Sequence, residues 1–272
     1  MLKGYNQRIV ETPTYIEIWE YEKPVIYSVK EENEKQTSKL DWLEDEKRTF
    51  DDLTAQGQYD SLKRKQKHYK QMRFEIARLI DTNFDEQTKF LTLTFKQNIT
   101  DLDYSNNEFK KFIKRLNYRI YKTKKSQIKY IATWEKQERG AIHYHIILFQ
   151  FPFIKKADLA CIWSHGFIQI NKTDVDSIEN RGRYISKYFA KDLELKEHKK
   201  KAFFKSQNLQ LPKEIKRLTD NSYETKNNPV IFEHTYIRKS PIFANERMGN
   251  EIEFEESKVR YRKVKKVKGE IE

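Results

Sequence analysis

The segment from Tyr130 to Phe149, YIATWEKQERGAIHYHIILF, constrains the fold more than any other part of the chain. Two alternating runs rich in β-formers are interrupted once, by Glu138, Arg139 and Gly140. Alternation at period two marks a strand with two unlike faces, and a short glycine-containing interruption joins two such strands as a hairpin. The three-residue loop favours a left-handed backbone at its last position, which Gly140 adopts without a Cβ penalty. Glu135 is then predicted to lie opposite His143. Residues directly opposite share a sheet face, so Glu135, His143 and His145 should converge, with Thr133 beside them. Ile142, Tyr144, Ile146 and Leu148 point to the other face, which is wholly apolar and leaves the histidines unneeded for the core. Two imidazoles and a carboxylate make a three-donor metal site with positions left for water or a substrate oxygen, as Lewis-acid catalysis requires.

Around the hairpin, strands and helices interleave. Phe90–Phe95 (FLTLTF) reads as a strand with Leu91, Leu93 and Phe95 on one face and Thr92 and Thr94 on the other. Asn106–Lys122 carries a helical stripe of Phe109, Phe112, Ile113, Leu116 and Ile120. A short helix at Ala157–Trp163, a strand at Phe167–Ile170 and a helix at Arg183–Leu193 follow. The hairpin makes the sheet at least partly antiparallel, and the class is α+β.

Upstream, Thr14–Tyr27 alternates up to Pro24 and is expected as two short strands or a hairpin. Ser61–Ile80 is expected as a basic amphipathic helix with Leu62, Tyr69, Met72, Ile76 and Leu79 on its apolar side. Residues 29–59 have weaker periodicity, helical in spacing only near Lys39–Lys47. Downstream, strand-like pieces stand at Val230–Arg238 and Glu251–Phe254, and Lys258–Lys268 fits either a basic edge strand or a phosphate-seeking tail. The expected divisions are 1–80 (N-terminal strands and basic helix), 81–198 (the central domain) and 199–272 (a basic C-terminal extension, a candidate to pack on the same sheet).

Composition narrows the partners. Lysine and arginine number 54 against 41 acids, a formal net charge of +13, and such a surplus repels itself unless a polyanion screens it. Nucleic acid is the expected partner, contacted by Lys63–Arg78, by the outer face of Lys110–Arg119 and by Lys258–Lys268. No run approaches the roughly 18 apolar residues of a membrane span, and MLKGYNQRIV lacks the apolar run of a signal peptide. With Cys161 as the single cysteine, there is no disulfide pair and no CxxC, which fits a reducing cytosol. No phosphate-cradling GxxxxGK[ST] loop is present, so unwinding would fall to a separate helicase.

The segment Arg183–Leu193 (RYISKYFAKDL) holds the second candidate constellation. At about 100° per residue, Ile185, Phe189 and Leu193 form one stripe, while Tyr184, Lys187, Tyr188 and Lys191 form another on the opposite side. A tyrosine near lysines and a divalent cation suits a nucleophile, because cationic neighbours favour the phenolate and stabilise charge on a phosphoryl group. Trp163, His165 and Gly166 read instead as a packed turn, and His68 and His198 as helix-surface residues.

FLTLTF, HYH and YISKYFAK, in that order over Phe90–Lys191, resemble the three ordered motifs of the HUH endonucleases, the rolling-circle replication initiators of small plasmids and single-stranded DNA phages. ERGAIHYHIILF, IWSHGFIQI and RYISKYFAKD are particularly similar to replication-associated proteins of low-GC bacterial plasmids and phages, and FFKSQNLQLPKEI is more loosely so. The resemblance implies a central five-stranded antiparallel sheet with flanking helices, an HUH nuclease domain over 81–198, and work in the cytoplasm of a bacterial host cell. It also implies Mg²⁺ or Mn²⁺ held by His143, His145 and Glu135. A tyrosine would attack the scissile phosphodiester of single-stranded DNA or an origin hairpin, leaving a 5′-phosphotyrosine and a free 3′-OH. Tyr184 with Lys187 and Tyr188 with Lys191 both fit the pattern Tyr-x-x-Lys, which resembles the two-tyrosine branch; either can act first, with Tyr184 placed ahead. Host or phage helicase and polymerase would be partners. An HUH transposase or relaxase would use the same chemistry on other DNA. A non-catalytic basic nucleic-acid-binding protein and a zinc hydrolase are the readings from other classes, the last without an HExxH helix.

Overall fold

The computed structural model describes residues 2–28, 54–172, 203–241 and 254–267. In chain order its elements are β1 (Leu2–Glu11), β2 (Tyr15–Ser28), α1 (Ala55–Asn83), β3 (Lys89–Thr94), α2 (Leu102–Tyr121), β4 (Lys129–Lys136) and β5 (Ile142–Phe149). Then come α3 (Lys156–Trp163), β6 (Ile168–Lys172), β7 (Phe203–Lys205), β8 (Lys213–Arg217), β9 (Val230–Pro241) and β10 (Phe254–Lys265). The chain is α+β, with two five-stranded antiparallel sheets, and no helix among the described residues is long and apolar enough to cross a membrane. It divides into two compact units, one of residues 54–211 and one of the described residues before and after them. The boundaries expected at 80 and 199 divide the chain differently. The basic helix and the strand FFK belong with the central sheet, and the C-terminal strand β10 pairs with the N-terminal β2.

In the unit of residues 54–211 the strand order is β6-β3-β5-β4-β7, so the HYH strand is the middle one. One face is the main core. Ile142, Tyr144, Ile146 and Leu148 of β5, with Leu91, Leu93 and Trp134, pack against Phe109, Phe112 and Leu116 of α2 and Leu159 and Trp163 of α3. Tyr144 stacks flat on Phe109 at 4.6 Å, and its hydroxyl reaches Asn106 Oδ1 at 2.8 Å and Ser105 Oγ at 3.1 Å. The core-facing tyrosine is thus both packed and satisfied. α2 starts a turn earlier than its apolar stripe suggests, because the Asp101 carboxylate caps it by accepting from the backbone N–H groups of Asp103 and Tyr104. It ends where Lys122 turns left-handed.

The other face receives α1. Only the C-terminal part of α1 packs on it: Ile76, Leu79 and Ile80 meet Ile131, Ile147, Phe149 and Leu209, with Met72 partly buried, while Leu62 at the other end is 54% exposed. α1 is also longer than expected, starting at the Thr54 cap and ending at Asn83, whose side chain donates to Gln210 O and accepts from Gln210 N. Asn117 ties down the connection after α2. Its amide donates to Thr123 O and Lys125 O and accepts from Gln127 N and Ile128 N, using every hydrogen-bonding site it has.

The other unit is a sheet in the order β8-β1-β2-β10-β9. β2 is one strand rather than two. The interruption expected near Pro24 is a register shift, with Gln7 opposite Glu20 and Tyr5 opposite Val25. Within the run Lys258–Lys268, residues 258–265 are neither an edge nor a tail, since they lie inside the sheet between β2 and β9. Its arginines are matched across the strands: Arg260 pairs with Glu233 at 2.6 Å, and buried Arg262 bonds Glu20 Oε2 at 3.0 Å and Tyr223 O at 2.9 Å. Val259 and Val264 are fully buried, and Val264 joins Ile9, Ile16 and Ile18 under Ile215 and Tyr223.

Candidate metal and active site

The hairpin has the register that Gly140 implies. Gly140 is left-handed with φ 83°, its N–H donates to Gln137 O, and Glu135 stands opposite His143. Three strands then present matched rows on the face opposite the main core. Nearest α1 is the apolar row Phe90–Ile147–Ile131, next comes Thr92–His145–Thr133, and last Thr94–His143–Glu135. Sequence alternation decides this change from apolar to polar along one face. α1 covers the first row, and the histidines lie beyond it on the same face.

Each imidazole is held differently. His145 is 19% exposed, and its Nε2 lies 2.9 Å from Glu135 Oε1, while its Nδ1 lies 3.2 Å from Thr92 Oγ1. Phe90 stacks on its ring at 5.7 Å. His143 is buried, 7% exposed, and its Nε2 has no hydrogen-bond partner among the described residues. A buried nitrogen in that state is costly unless something else satisfies it. Burial pushes the His143 imidazole below its ordinary value, Glu135 opposes that shift, and His145 and Arg139 add to it. The neutral ring keeps a lone pair available to a cation.

The donors fit a divalent cation in kind: two imidazoles and a carboxylate on adjacent strands, with one buried nitrogen unsatisfied. They do not close around one point, however. Among the described residues no three His, Cys, Asp or Glu side chains stand at cation-binding spacing, and Glu135 meets His145 directly. Tyr184, Tyr188, Lys187 and Lys191 lie outside the described residues, as does His198.

Sequence reasoning missed Phe90 and Thr92 as neighbours of His145, although the alternation of FLTLTF places Phe90, Thr92 and Thr94 together once β3 is known to flank β5. The turn after α3 is packed. Trp163 Nε1 donates to Thr94 O at 2.8 Å, His165 Nε2 lies 3.0 Å from Glu108 Oε2, and Lys96 N donates to His165 O at 2.8 Å. His68 is exposed on α1, where the basic residues Lys63, Arg64, Lys67 and Lys70 are exposed too.

Residues 88–193 match the family of the replication-associated protein ORF2. The match begins just before β3 and contains Glu135, His143 and His145 as well as the tyrosine segment. The chain is also 26% identical over 146 residues to the Phasyl DNA replicon protein arp of Escherichia coli, covering 44% of this chain and 49% of that protein. It therefore spans about half the length of the curated relative it matches. No solved structure matches the chain.

Proposed function

We propose that this protein is a rolling-circle replication initiator of the two-tyrosine HUH type, which nicks and rejoins single-stranded DNA. One observation carries the reading: buried His143, with an unsatisfied Nε2 among the described residues, stands opposite Glu135 and beside His145, inside a segment similar to replication-associated proteins. Glu135, His143 and His145 would hold Mg²⁺ or Mn²⁺, and nitrogen donors favour the latter. When bound, the cation supplies Lewis acidity toward the scissile phosphate.

The chain's own residues do the rest. Thr92 fixes the ring of His145 through Nδ1 and leaves Nε2 facing the site. The phenol oxygen of Tyr184 or Tyr188 attacks phosphorus as the bond to the 3′ oxygen breaks. The phenol loses its proton, the 3′ oxygen ends as a hydroxyl, and the 5′-phosphate stays on the tyrosine. Lys187 and Lys191 favour the phenolate and the charge on the phosphoryl group. The phosphotyrosine conserves the bond, so a 3′-OH can reverse the step without ATP. The substrate is an origin single strand or hairpin, opened with a host or phage helicase and copied by a polymerase, in the cytoplasm of a bacterial host cell.

Incubation with labelled origin-like single-stranded DNA and Mn²⁺ tests this. A covalent adduct mapping to Tyr184 or Tyr188, absent in His143→Ala and in Tyr184→Phe with Tyr188→Phe, is expected. If no adduct forms across candidate origins while DNA is still bound, the non-catalytic reading takes its place.

A further inference from the structure

An open sheet ends in two edge strands, and among the described residues three of the four edges are short. β6 and β7, at the ends of the histidine-bearing sheet, have five and three residues. β8, at one end of the terminal sheet, has five, of which Lys213, Glu214, Lys216 and Arg217 are charged. Short length and charge are the usual means of keeping an open ladder from pairing. β9, at the other end, has neither protection. It runs for twelve residues, and from Val230 to Ile237 it holds one acid and no lysine or arginine.

Residues 230–237 are exposed without a break, so this edge meets solvent on both of its faces. Val230, Ile231, Phe232, Tyr236 and Ile237 are each 38–59% exposed. Phe232 meets Tyr261 at 6.0 Å and Tyr236 meets His234 at 6.2 Å, yet both rings remain open to solvent. The charged residues of the strand are engaged by its own sheet: Glu233 bonds Arg260 at 2.6 Å, Lys239 lies 2.9 Å from Glu256, and Arg238 lies over Tyr21 at 5.8 Å. What β9 offers outward is apolar surface beside an edge that no described strand pairs.

The spacing of the exposed residues shows what fits there. Opposite residues of an antiparallel pair share a face and a hydrogen-bonding sense. A two-fold axis relating two copies of β9 must therefore fall beside a single residue, which faces its own copy. With His234 at the axis, Ile231 faces Ile237 of the second copy, Phe232 faces Tyr236, and Glu233 faces Thr235. Only Val230, opposite Arg238, lacks an apolar partner. Moving the axis to Thr235 would set Phe232 against Arg238 and Ile231 against Lys239, and moving it to Glu233 would set two carboxylates face to face.

We propose that β9 is a homodimer edge, through which two copies of this chain join antiparallel about an axis at His234 into one continuous sheet. Ladder hydrogen bonds supply affinity, while the Ile231–Ile237 and Phe232–Tyr236 pairs set the register. The pairing is independent of the histidine site, so its failure would leave the replication reading untouched.

Sedimentation velocity of the full chain over about 1–100 µM should show the mass rising from that of a monomer to twice that value. Ile231→Lys with Ile237→Lys sets ammonium groups opposite one another and should raise the dimer Kd about a hundredfold or more. Both side chains are exposed, so the melting temperature of the dilute monomer should not change. Register is read by cross-linking in the Cys161→Ser chain, which has no other cysteine. His234→Cys should form a disulfide-linked dimer on oxidation, because opposite Cα atoms lie about 4.5–5.5 Å apart, within disulfide reach. Val230→Cys should not, since its copy would lie roughly 27 Å away along the strand. A chain that stays monomeric throughout, a dimer indifferent to the two lysines, or a cross-link at 230 without one at 234 would each overturn the proposal.

Discussion

Gly166 is where the smallest change should do the most damage. An added Cβ would lie 2.4 Å from Thr94 O, 2.5 Å from Lys96 N and 2.9 Å from the carbonyl carbon of Phe95, all backbone atoms that cannot rotate away. To make room, the turn must separate from the end of β3, to which it is tied by Thr94 N–H donating to Phe167 O at 3.0 Å and Lys96 N–H to His165 O at 2.8 Å. Overpacking costs about 1–3 kcal/mol and each lost hydrogen bond about 1 kcal/mol, so Gly166→Ala should cost roughly 3–5 kcal/mol. For a unit of this size that lowers Tm by roughly 6–20 °C, read by circular dichroism on heating. Thr94 is the partner of His143 in the outer site row, so the same variant should also weaken Mn²⁺ binding in titration calorimetry. A melting temperature within about 2 °C of the parent, the shift of a change under 1 kcal/mol, would refute the steric argument.

Two further predictions concern the same unit. Asn117→Ala removes four hydrogen bonds around the connection from Lys122 to Ile128 and should cost about 2–4 kcal/mol, seen in urea as a lower midpoint with an unchanged slope. The Glu108 carboxyl is held below its ordinary value of 4.5 chiefly by the hydrogen bond from Lys111, with His165 adding to the shift. Its contribution to stability is therefore complete above pH 4.5 and is lost as pH falls through the lower folded value. Glu108→Gln should flatten the acid limb of stability against pH, and an unchanged limb would remove Glu108 from the account.

The site row was legible in the sequence because a hairpin with a single permitted glycine leaves one register. β4 and β5 lie on either side of the interruption at Glu138–Gly140, and Glu135 faces His143. Capping residues outside the apolar pattern set the extra turn of α2, where Asp101 precedes the apolar stripe that begins at Phe109. What periodicity could not supply was long-range pairing. FFK contributes one short edge strand whose partner, β4, lies far earlier in the chain. The basic run after Ser257 looked like surface because the acids that neutralise it, Glu20 and Glu233, sit on other strands. Leu62 matched the helical stripe of α1, but the sheet beneath reaches only the other end.

The pairing of β2 with β10 makes the unit of residues 54–211 an insertion between the two halves of its neighbour. During synthesis on the ribosome, the strands of the histidine-bearing sheet are all available once residue 211 has emerged. β2 must wait for residues 254–265 before it gains its second neighbour, a closure of very high contact order. A nascent chain therefore acquires its histidine-bearing sheet before its terminal sheet, and a product cut short after residue 211 would retain the first without the second.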